Sequence, residues 1–296
     1  MKKKISILGS TGSIGLNTLS IIENKKSFFN IKLLSANKNF KLINIQIKKY
    51  KPKYFVINNP IIFQKVKKKI KSKKTILLKS FNEIDKKFKS DITVSAIPGI
   101  SGLESTILFT KLSKKILIAN KESIICGWNL IKATAKKNKT VIVPVDSEHF
   151  SILKLLEQSD LNEIKKIYIT ASGGPFLNYK YRKFKKIKPK DALKHPKWKM
   201  GKKISVDSST MMNKILELIE AHKIFEISNE KIDILIHPNS LVHAIVKFKN
   251  GLTKFIYHET SMIIPLANAI FDGNLNIEDF YKEKNPRKNK IIEDLT

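Results

Sequence analysis

Short β-branched runs alternate with longer stretches in which apolar residues recur at helical spacing along the first half of the chain. The runs that predict strands are Ile5–Leu8, Ile31–Ser35, Tyr54–Ile57, Ile92–Ala96, Ile116–Ala119 and Val141–Val145. Strands that alternate with helices form βαβ units, which build a parallel sheet with helices on both faces. We therefore predict a Rossmann-like α/β domain over residues 1–145, with its ligands at the carboxyl ends of the strands.

The pattern changes after Val145 and predicts a second α/β domain over residues 146–271, followed by a linker over 272–296. Asn250-Gly251 is a strong signal for an antiparallel hairpin. Helices are predicted over Glu148–Glu157 and from about Thr210 to His222, and strands over Lys166–Thr170, Ile232–His237, Ala244–Lys249 and Leu252–Tyr257.

The composition leaves two classes of partner open. The chain has 296 residues and a formal net charge of +32, which is compatible with nucleic acid because basic proteins release counterions from phosphates. Arginine, which nucleic-acid sites favour for bidentate contacts, occurs only at Arg182 and Arg287. A solvated lysine surface with no nucleic-acid partner is therefore the favoured interpretation, and a basic nucleic-acid-binding protein is the alternative class.

Cysteine use and hydropathy bear on the compartment. The single cysteine, Cys126, excludes an internal disulfide in this chain and, without other Cys or His clusters, argues against zinc. No run of apolar residues approaches the length of a membrane span. These features predict a cytoplasmic protein with no membrane partner.

A glycine-rich loop with the spacing GxxGxxG, Gly9–Gly15, follows the first predicted strand and opens a predicted helix. Glycines permit a tight turn and the helix N-terminus presents free N–H groups to phosphates, so the loop favours a dinucleotide over a turn without a ligand. After the second strand, where an NAD site usually carries an acid, the chain has Lys38. Lys38 suits the 2′-phosphate of NADPH, and the alternative is a surface lysine without a ligand.

Three carboxylates, Asp146, Glu148 and Glu217, are candidates for a divalent metal site. Oxygen ligands suit Mg²⁺ or Mn²⁺, and hydroxyl, amide and ammonium groups suit a phosphate. Asn213 and Lys214 lie on the same predicted helix face as Glu217, so the two types of site are expected to adjoin. The alternatives are a helix N-cap for Asp146 and a surface ion pair between Lys214 and Glu217.

The loop His195–Gly201 contains Trp198 and precedes the helix of Lys214, which Ser208 is expected to open at the end that favours anions. A mobile lid that closes the indole over a substrate and a loop that the indole anchors to the core are both compatible with this pattern. Core or capping roles are predicted for three other histidines, His149, His222 and His237.

Seven blocks of the sequence carry a resemblance to one family. They are Gly9–Gly15, Ala119–Ser123, Pro144–His149, Ser172–Phe176, His195–Gly201, Ser205–Glu217 and Leu235–Ser240. In this order they resemble the 1-deoxy-D-xylulose 5-phosphate reductoisomerase family over essentially the whole chain. The resemblance implies an NADPH-dependent isomerisation and reduction of 1-deoxy-D-xylulose 5-phosphate to 2-C-methyl-D-erythritol 4-phosphate. This is the committed step of the non-mevalonate isoprenoid pathway, and it requires Mg²⁺, Mn²⁺ or Co²⁺.

The resemblance also implies roles for individual residues. The metal ligands would be Asp146, Glu148 and Glu217, and the catalytic set would add Lys121 and His243. The residues that the resemblance assigns to the substrate are Ser147, Ser172, His195, Trp198, Met200, Ser208, Asn213 and Lys214. Those that it assigns to the cofactor are Thr11, Gly12, Ser13, Ile14, Asn37, Lys38, Asn39, Asn120, Glu122 and Gly201. Trp198 and Met200 would belong to a flexible lid over about 193–203.

The chain departs from the family pattern in places. Asn37 stands where the family usually has glycine, and Ser261–Pro265 replaces a more polar stretch. The family's C-terminal helical domain is expected to be missing from this chain, and the resemblance implies a homodimer for the complete protein. The runner-up enzyme, a reductase similar to aspartate-semialdehyde dehydrogenase, would need a catalytic cysteine in the second domain, whereas Cys126 lies in the first.

Overall fold

Two β-sheets form the framework of the protein, which a computed structural model describes over residues 2–70, 74–195, 197–198 and 201–282. The strands of the first sheet are β1 (Lys3–Leu8), β2 (Phe29–Ala36), β3 (Tyr54–Ile57), β4 (Ile76–Leu78), β5 (Ser90–Ser95), β6 (Ser113–Ile118) and β7 (Val141–Pro144). All paired neighbours are parallel, in the order β4-β3-β2-β1-β5-β6-β7. The order reverses between β1 and β5, and a reversal of this kind opens a crevice at the carboxyl ends of the strands.

The second sheet has the order β11-β10-β8-β9 and contains β8 (Ile164–Ala171), β9 (Ile232–Ile236), β10 (Val242–Phe248) and β11 (Thr253–Tyr257). β8 and β9 are parallel, whereas β10 runs antiparallel to both β8 and β11. The predicted hairpin turns where expected, and Gly251 has a φ of +90° that glycine accepts without strain. His243 sits in an irregularity of the β10–β11 pairing, because Val242 pairs with Tyr257 and Ala244 with Ile256.

Helices cover both faces of the first sheet and one face of the second. They are α1 (Ser13–Asn24), α2 (Phe40–Tyr50), α3 (Pro60–Lys69), α4 (Leu103–Leu112), α5 (Lys121–Asn138), α6 (Ser147–Leu156), α7 (Pro189–Ala192), α8 (Lys202–Ser209), α9 (Met212–Phe225) and α10 (Ile263–Phe271). Asparagine side chains cap three of them, since Asn39, Asn59 and Asn120 each accept a bond from a backbone N–H of the first turn. Over the described residues, no helix is long and apolar enough to cross a lipid bilayer.

The hydrophobic core follows the alternation of side chains along the strands. Leu34 faces one layer together with Ile5 and Ile7, and Leu33 faces the opposite layer together with Leu8. α10 joins the first of these layers and packs against α1, although it lies inside the predicted second domain. The domain boundaries at 145 and 271 remain predictions.

The α/β fold class and its parallel sheet are confirmed, and one helix prediction was wrong. A continuous helix was expected from about Thr210, with Ser208 at its start. The chain instead forms α8 and α9, separated at Met211, which has a φ of +61°. Ser208 therefore lies in the last turn of α8. No glycine or proline marks this break, so a pattern of apolar positions does not reveal it.

Candidate active site

A cavity of about 360 Å³ opens where the carboxyl ends of several strands meet. Its wall takes residues that follow β1, β5, β6, β7 and β8, together with residues of α8, α9 and β10. The predicted site residues that line it are Gly12, Ser13, Ile14, Asn120, Lys121, Glu122, Asp146, Ser147, Glu148, Ser172, His195, Trp198, Gly201, Ser208, Asn213, Lys214, Glu217 and His243. The fold thus brings most of the predicted site together from distant parts of the chain.

Three carboxylates meet at the floor of this cavity. Asp146, Glu148 and Glu217 each offer an oxygen, and these atoms lie within 4.8 Å of one another. Asp146 is also the N-cap of α6, because its Oδ1 accepts a bond of 3.3 Å from the backbone N–H of Glu148. The capping interpretation and the ligand interpretation are therefore compatible. An all-oxygen donor set of this kind fits Mg²⁺ or Mn²⁺.

Two buried lysines bridge the carboxylates. Lys121 donates to Asp146 and, over 3.1 Å, to Glu217. Lys214 donates to Glu148 over 2.6 Å and to Glu217 over 2.5 Å. Lys214 and Glu217 are 5% and 1% exposed, which rules out the alternative of a surface ion pair. The cluster is a dense network of opposite charges rather than a bare acidic pocket.

The charges shift the acid–base behaviour of the carboxyl groups in opposite directions. Burial raises the pKa of Asp146, but Lys121 and His149 outweigh burial and hold it well below its usual range. Burial and the neighbouring Glu217 raise the pKa of Glu148 to about 8. For Lys121, burial opposes the charge, yet the surrounding carboxylates raise the pKa well above its ordinary value. The network thus favours charged lysines beside one acid that holds its proton near neutral pH.

A fourth acid, Glu220, lies behind the cluster and was missed by the sequence reasoning. It is 2% exposed, and its Oε2 lies 3.7 Å from Lys121 Nζ and 3.8 Å from His149 Nδ1. Burial raises the pKa of Glu220 to about 7, against the opposing effect of Lys121. Its position three residues after Glu217 on α9 was the available signal. His149 is fully buried and its Nε2 donates to the backbone oxygen of Glu217 over 2.9 Å, as expected for a core histidine.

A polar pocket beside the carboxylates gathers the predicted phosphate groups. His195 Nδ1 accepts a bond of 2.9 Å from the backbone N–H of Trp198, so the proton of the neutral ring lies on Nε2. That nitrogen donates to Ser172 Oγ over 3.0 Å. Burial and the charge of Lys214 lower the pKa of His195. Gly174 brings this loop against α8, because a Cβ there would lie 2.6 Å from the backbone oxygen of Ser208.

The glycine loop is held by contacts that exclude larger residues. A Cβ on Gly15 would lie 2.4 Å from the backbone oxygen of Gly9. The loop is bonded to the end of β2, because the backbone N–H of Ser10 donates to the backbone oxygen of Ser35 over 2.8 Å. Four predicted cofactor residues, Thr11, Asn37, Lys38 and Asn39, lie outside the cavity wall. The last three are exposed just beyond β2, and Asn39 caps α2.

The predicted lid contacts residues on both sides of the predicted domain boundary at 145. Lys203 of α8 forms ion pairs with Glu122 over 2.7 Å and with Asp207 over 2.6 Å, a link that sequence reasoning missed. The indole of Trp198 meets the imidazole of His243 edge-on, with ring centroids 6.0 Å apart. Met200, predicted as a lid residue, lies outside the described residues.

The fold and the cavity define a two-sheet α/β protein with a Rossmann-like parallel sheet and a carboxylate–lysine cluster at the sheet edge. A family model described as 1-deoxy-D-xylulose 5-phosphate reductoisomerase matches residues 5–127, and one described as the C-terminal domain of that enzyme matches residues 142–225. The 1-deoxy-D-xylulose 5-phosphate reductoisomerase of Pelagibacter ubique (strain HTCC1062) is 50% identical over 287 residues, covering 96% of this chain and 73% of the relative.

Solved structures agree with this assignment. A crystal structure of DOX-P reductoisomerase in complex with NADPH, fosmidomycin and magnesium has a TM-score of 0.85 at 36% identity, covering 90% of this chain and 69% of that chain. The enzyme from Zymomonas mobilis in complex with NADPH has a TM-score of 0.82 at 32% identity, covering 91% and 70%. The chain belongs to the 1-deoxy-D-xylulose 5-phosphate reductoisomerase family, which is a family of oxidoreductases. This membership decides against the reductase similar to aspartate-semialdehyde dehydrogenase.

Proposed function

We propose that this protein catalyses the NADPH-dependent isomerisation and reduction of 1-deoxy-D-xylulose 5-phosphate to 2-C-methyl-D-erythritol 4-phosphate, with a divalent metal, in the non-mevalonate route to isoprenoids. The observation that carries the proposal is the meeting of Asp146, Glu148 and Glu217 within 4.8 Å, beside a polar pocket and in one cavity with the glycine loop. Family membership supplies the particular substrate.

The three carboxylates would hold Mg²⁺ or Mn²⁺. Lys121 and Lys214 form ion pairs with these carboxylates, so their ammonium groups balance part of the negative charge of the cluster. A bound metal would supply a Lewis acid for the substrate's oxygens, and NADPH would supply the hydride. Lys121 would then be released from part of its carboxylate bonding and could donate to the substrate together with the hydroxyl of Ser147.

The polar pocket would bind the phosphate of the substrate. Lys214 supplies a charge, Asn213 an amide, and Ser172 and Ser208 hydroxyl groups, all on the cavity wall. His195 donates to Ser172 and thereby leaves the hydroxyl proton of Ser172 free to donate to an anion. Phosphate binding far from the reacting carbons can stabilise closure of the lid over Trp198, which would exclude water.

The glycine loop and the N-terminus of α1 would bind the pyrophosphate of NADPH, because Gly12, Ser13 and Ile14 line the cavity and a helix N-terminus favours anions. Asn120, Glu122 and Gly201 line the same cavity and would contact the nicotinamide half of the cofactor. The exposed group after β2 would bind the adenosine end, with Lys38 at the 2′-phosphate.

Two broader properties complete the proposal. We place the protein in the cytoplasm, acting on a small phosphorylated sugar, and we propose that it works as a homodimer. The location rests on the cysteine use and hydropathy of the sequence, and the substrate and the homodimer rest on the family resemblance. Light scattering on a sizing column tests the second property, since a monomer at micromolar concentration would contradict it.

The experiment that tests the reaction uses Glu217→Gln. We expect oxidation of NADPH on addition of 1-deoxy-D-xylulose 5-phosphate and Mn²⁺ to fall by about a thousandfold or more, because one ligand and two lysine bonds are altered. Affinity for Mn²⁺ measured by calorimetry should fall at least about tenfold, with NADPH affinity nearly unchanged. Glu226→Gln, at an exposed position just after α9, is the matched control. Wild-type turnover by Glu217→Gln at limiting Mn²⁺ would show that this residue is no ligand.

A further inference from the structure

The backbone around His243 is shaped to aim its side chain into the site. Val242 pairs with Tyr257 and Ala244 with Ile256, so His243 is the extra residue of a β-bulge. A bulge of this kind commonly redirects a side chain next to a functional site. Thr170 fixes the bulge, because its hydroxyl donates to the backbone oxygen of His243 over 3.2 Å. His243 is 2% exposed and lines the cavity.

A second imidazole lies against the first. The rings of His243 and His258 are stacked, with centroids 3.7 Å apart and an angle of 18° between their planes. His243 Nε2 lies 3.0 Å from the backbone oxygen of His258, and a carbonyl only accepts, so Nε2 carries the proton. His258 Nδ1 in the same way donates to the backbone oxygen of Glu259 over 2.8 Å. Each ring is thereby held in one neutral tautomer.

The charged groups around His243 determine whether its ring can carry a proton. His258 and Lys214 would both repel a proton on this ring, Asp146 would favour one, and Trp198 contacts the ring edge-on. Burial, with the charge of His258, lowers the pKa of His243 to about 3, and burial lowers that of His258 to about 4. A cation at His243 would add positive charge beside Lys214, in a cavity whose carboxylates are needed for a metal.

We propose that His258 is a positioning residue of this site: its imidazole, stacked on His243, holds that ring in one orientation as the surface against which the lid residue Trp198 closes, while its backbone oxygen fixes the tautomer. His258 lies just beyond β11 and outside the cavity wall, so it acts through His243 rather than on the substrate. The role in turnover rests on the proposed function, whereas the ring geometry does not.

The test compares two substitutions of His258. Phenylalanine keeps a flat ring that can stack, and alanine removes it. Long-range proton–nitrogen NMR reports the tautomer of His243 and its titration, and fluorescence of Trp198 is read in a Trp128→Phe background, since the chain has two tryptophans. We expect His258→Phe to preserve the Nε2–H tautomer and the Trp198 emission. His258→Ala should raise the titration midpoint of His243 by about 1 unit or more, because water replaces the lost ring, and should shift the emission of Trp198.

Activity gives a further readout. His258→Ala should raise KM several-fold relative to the wild type, because the surface against which Trp198 closes is disturbed, whereas His258→Phe should not. The proposal is overturned if folded His258→Ala keeps the wild-type midpoint and emission, or if folded His258→Phe loses the wild-type emission. Should His258→Ala fail to fold, the His258→Phe spectra alone decide. A wild-type protein without NADPH oxidation would overturn the proposed function, and the spectra would still decide the role of His258.

Discussion

At the scale of single residues, the site is governed by how charge is compensated where water is scarce. Lys121 and Lys214 place two buried ammonium groups around Glu217, which is almost completely buried. The same groups lie beside the half-buried Asp146 and Glu148. Removing one partner of such a pair leaves an uncompensated charge, which is strongly destabilising. Lys121 and Lys214 therefore stabilise the folded protein in addition to any contact that they make with the substrate. They keep the acid cluster folded before a metal enters.

Lys38 gives a test of cofactor choice. It is exposed beyond β2, next to a strand end that is bonded to the glycine loop. We expect Lys38→Ala to weaken NADPH binding about tenfold, the effect of losing a charged hydrogen bond, and to leave NADH binding within about twofold. Fluorescence titration of both cofactors measures this, with Lys41→Ala on α2 as the control. Equal losses for the two cofactors would exclude a 2′-phosphate role.

The histidines give a pH dependence of stability with a definite sign. His243 and His258 have pKa values of about 3 and 4 in the folded protein, below the ordinary value of 6.5. Below pH 6.5 the unfolded chain therefore binds protons on these rings that the folded protein does not bind, so their contribution to stability falls as pH falls. Each group contributes up to about 1.4 kcal/mol per pH unit. His195 and His237, whose pKa values are also lowered, act in the same direction.

Urea unfolding at pH 7.5, 6.5 and 5.5 measures this slope. Glu148 and Glu220, whose pKa values are raised to about 8 and 7, act in the opposite direction, so the contribution of one ring is read from the difference between a variant and the wild type. His258→Phe removes one titrating ring and keeps the packing of a flat ring. The loss of stability between pH 6.5 and 5.5 should therefore be clearly smaller in this variant than in the wild type. Parallel pH profiles for the two proteins would mean that His258 is not neutral in the fold.

At the scale of elements, the sequence predicts best where packing and local preference agree. Tyr54–Ile57 is fully buried and was predicted with the bounds that the structure has. β4 was missed because Ile76–Leu78 is a three-residue edge strand whose first residue is exposed, which leaves no periodic signal. The break at Met211 was missed for a different reason: no glycine or proline marks it, although α8, which ends just before it, lies against the loop at Gly174. The helix preferences of the residues in this segment do not reveal such a tertiary contact.

The start of α1 gives a test at this scale. We expect Gly15→Ala to destabilise the protein by about 1–3 kcal/mol and to abolish NADPH binding, because the new Cβ would meet the backbone of Gly9 and Ser10 within 2.6 Å. Ser20→Ala lies on an exposed position of the same helix and should be neutral or slightly stabilising. Thermal unfolding and a cofactor titration check both variants. Undiminished NADPH binding by Gly15→Ala would contradict the account of the loop.

At the scale of the whole molecule, the candidate metal site joins two parts of the chain. Asp146 and Glu148 follow β7 of the first sheet, while Glu217 lies on α9, which packs against both α5 and the second sheet. The sequence could place these acids near strand or helix ends, and family resemblance assembled them into one set. Neither source revealed the distances, the buried Glu220 or the His243–His258 stack, because these depend on how the two sheets pack.

Metal binding should therefore act on the stability of the entire protein. We expect Mn²⁺ at about a hundred times its dissociation constant to stabilise the folded state by about 2.7 kcal/mol, with a corresponding rise in Tm. At the same Mn²⁺ concentration the stabilisation should be smaller in Glu217→Gln by about 1.3 kcal/mol or more, which corresponds to a tenfold or greater loss of affinity, and should be unchanged in Glu226→Gln. Calorimetric scans with and without Mn²⁺ provide the measurement. A rise of equal size in Glu217→Gln would place the binding of Mn²⁺ elsewhere.

The bulge at His243 has a consequence for how this sequence can change in length. Side chains alternate along a strand, so the bulge determines which face of the sheet each residue between it and the turn occupies. Loss of one residue at 243 would leave Val242 to take its place, and the imidazole that faces the cavity would be gone without any substitution. Natural selection should therefore remove single-residue insertions or deletions in β10, whereas the exposed turn at Asn250-Gly251 should tolerate insertions. Substitutions in this hairpin should therefore be tolerated more readily than changes in the length of its strands.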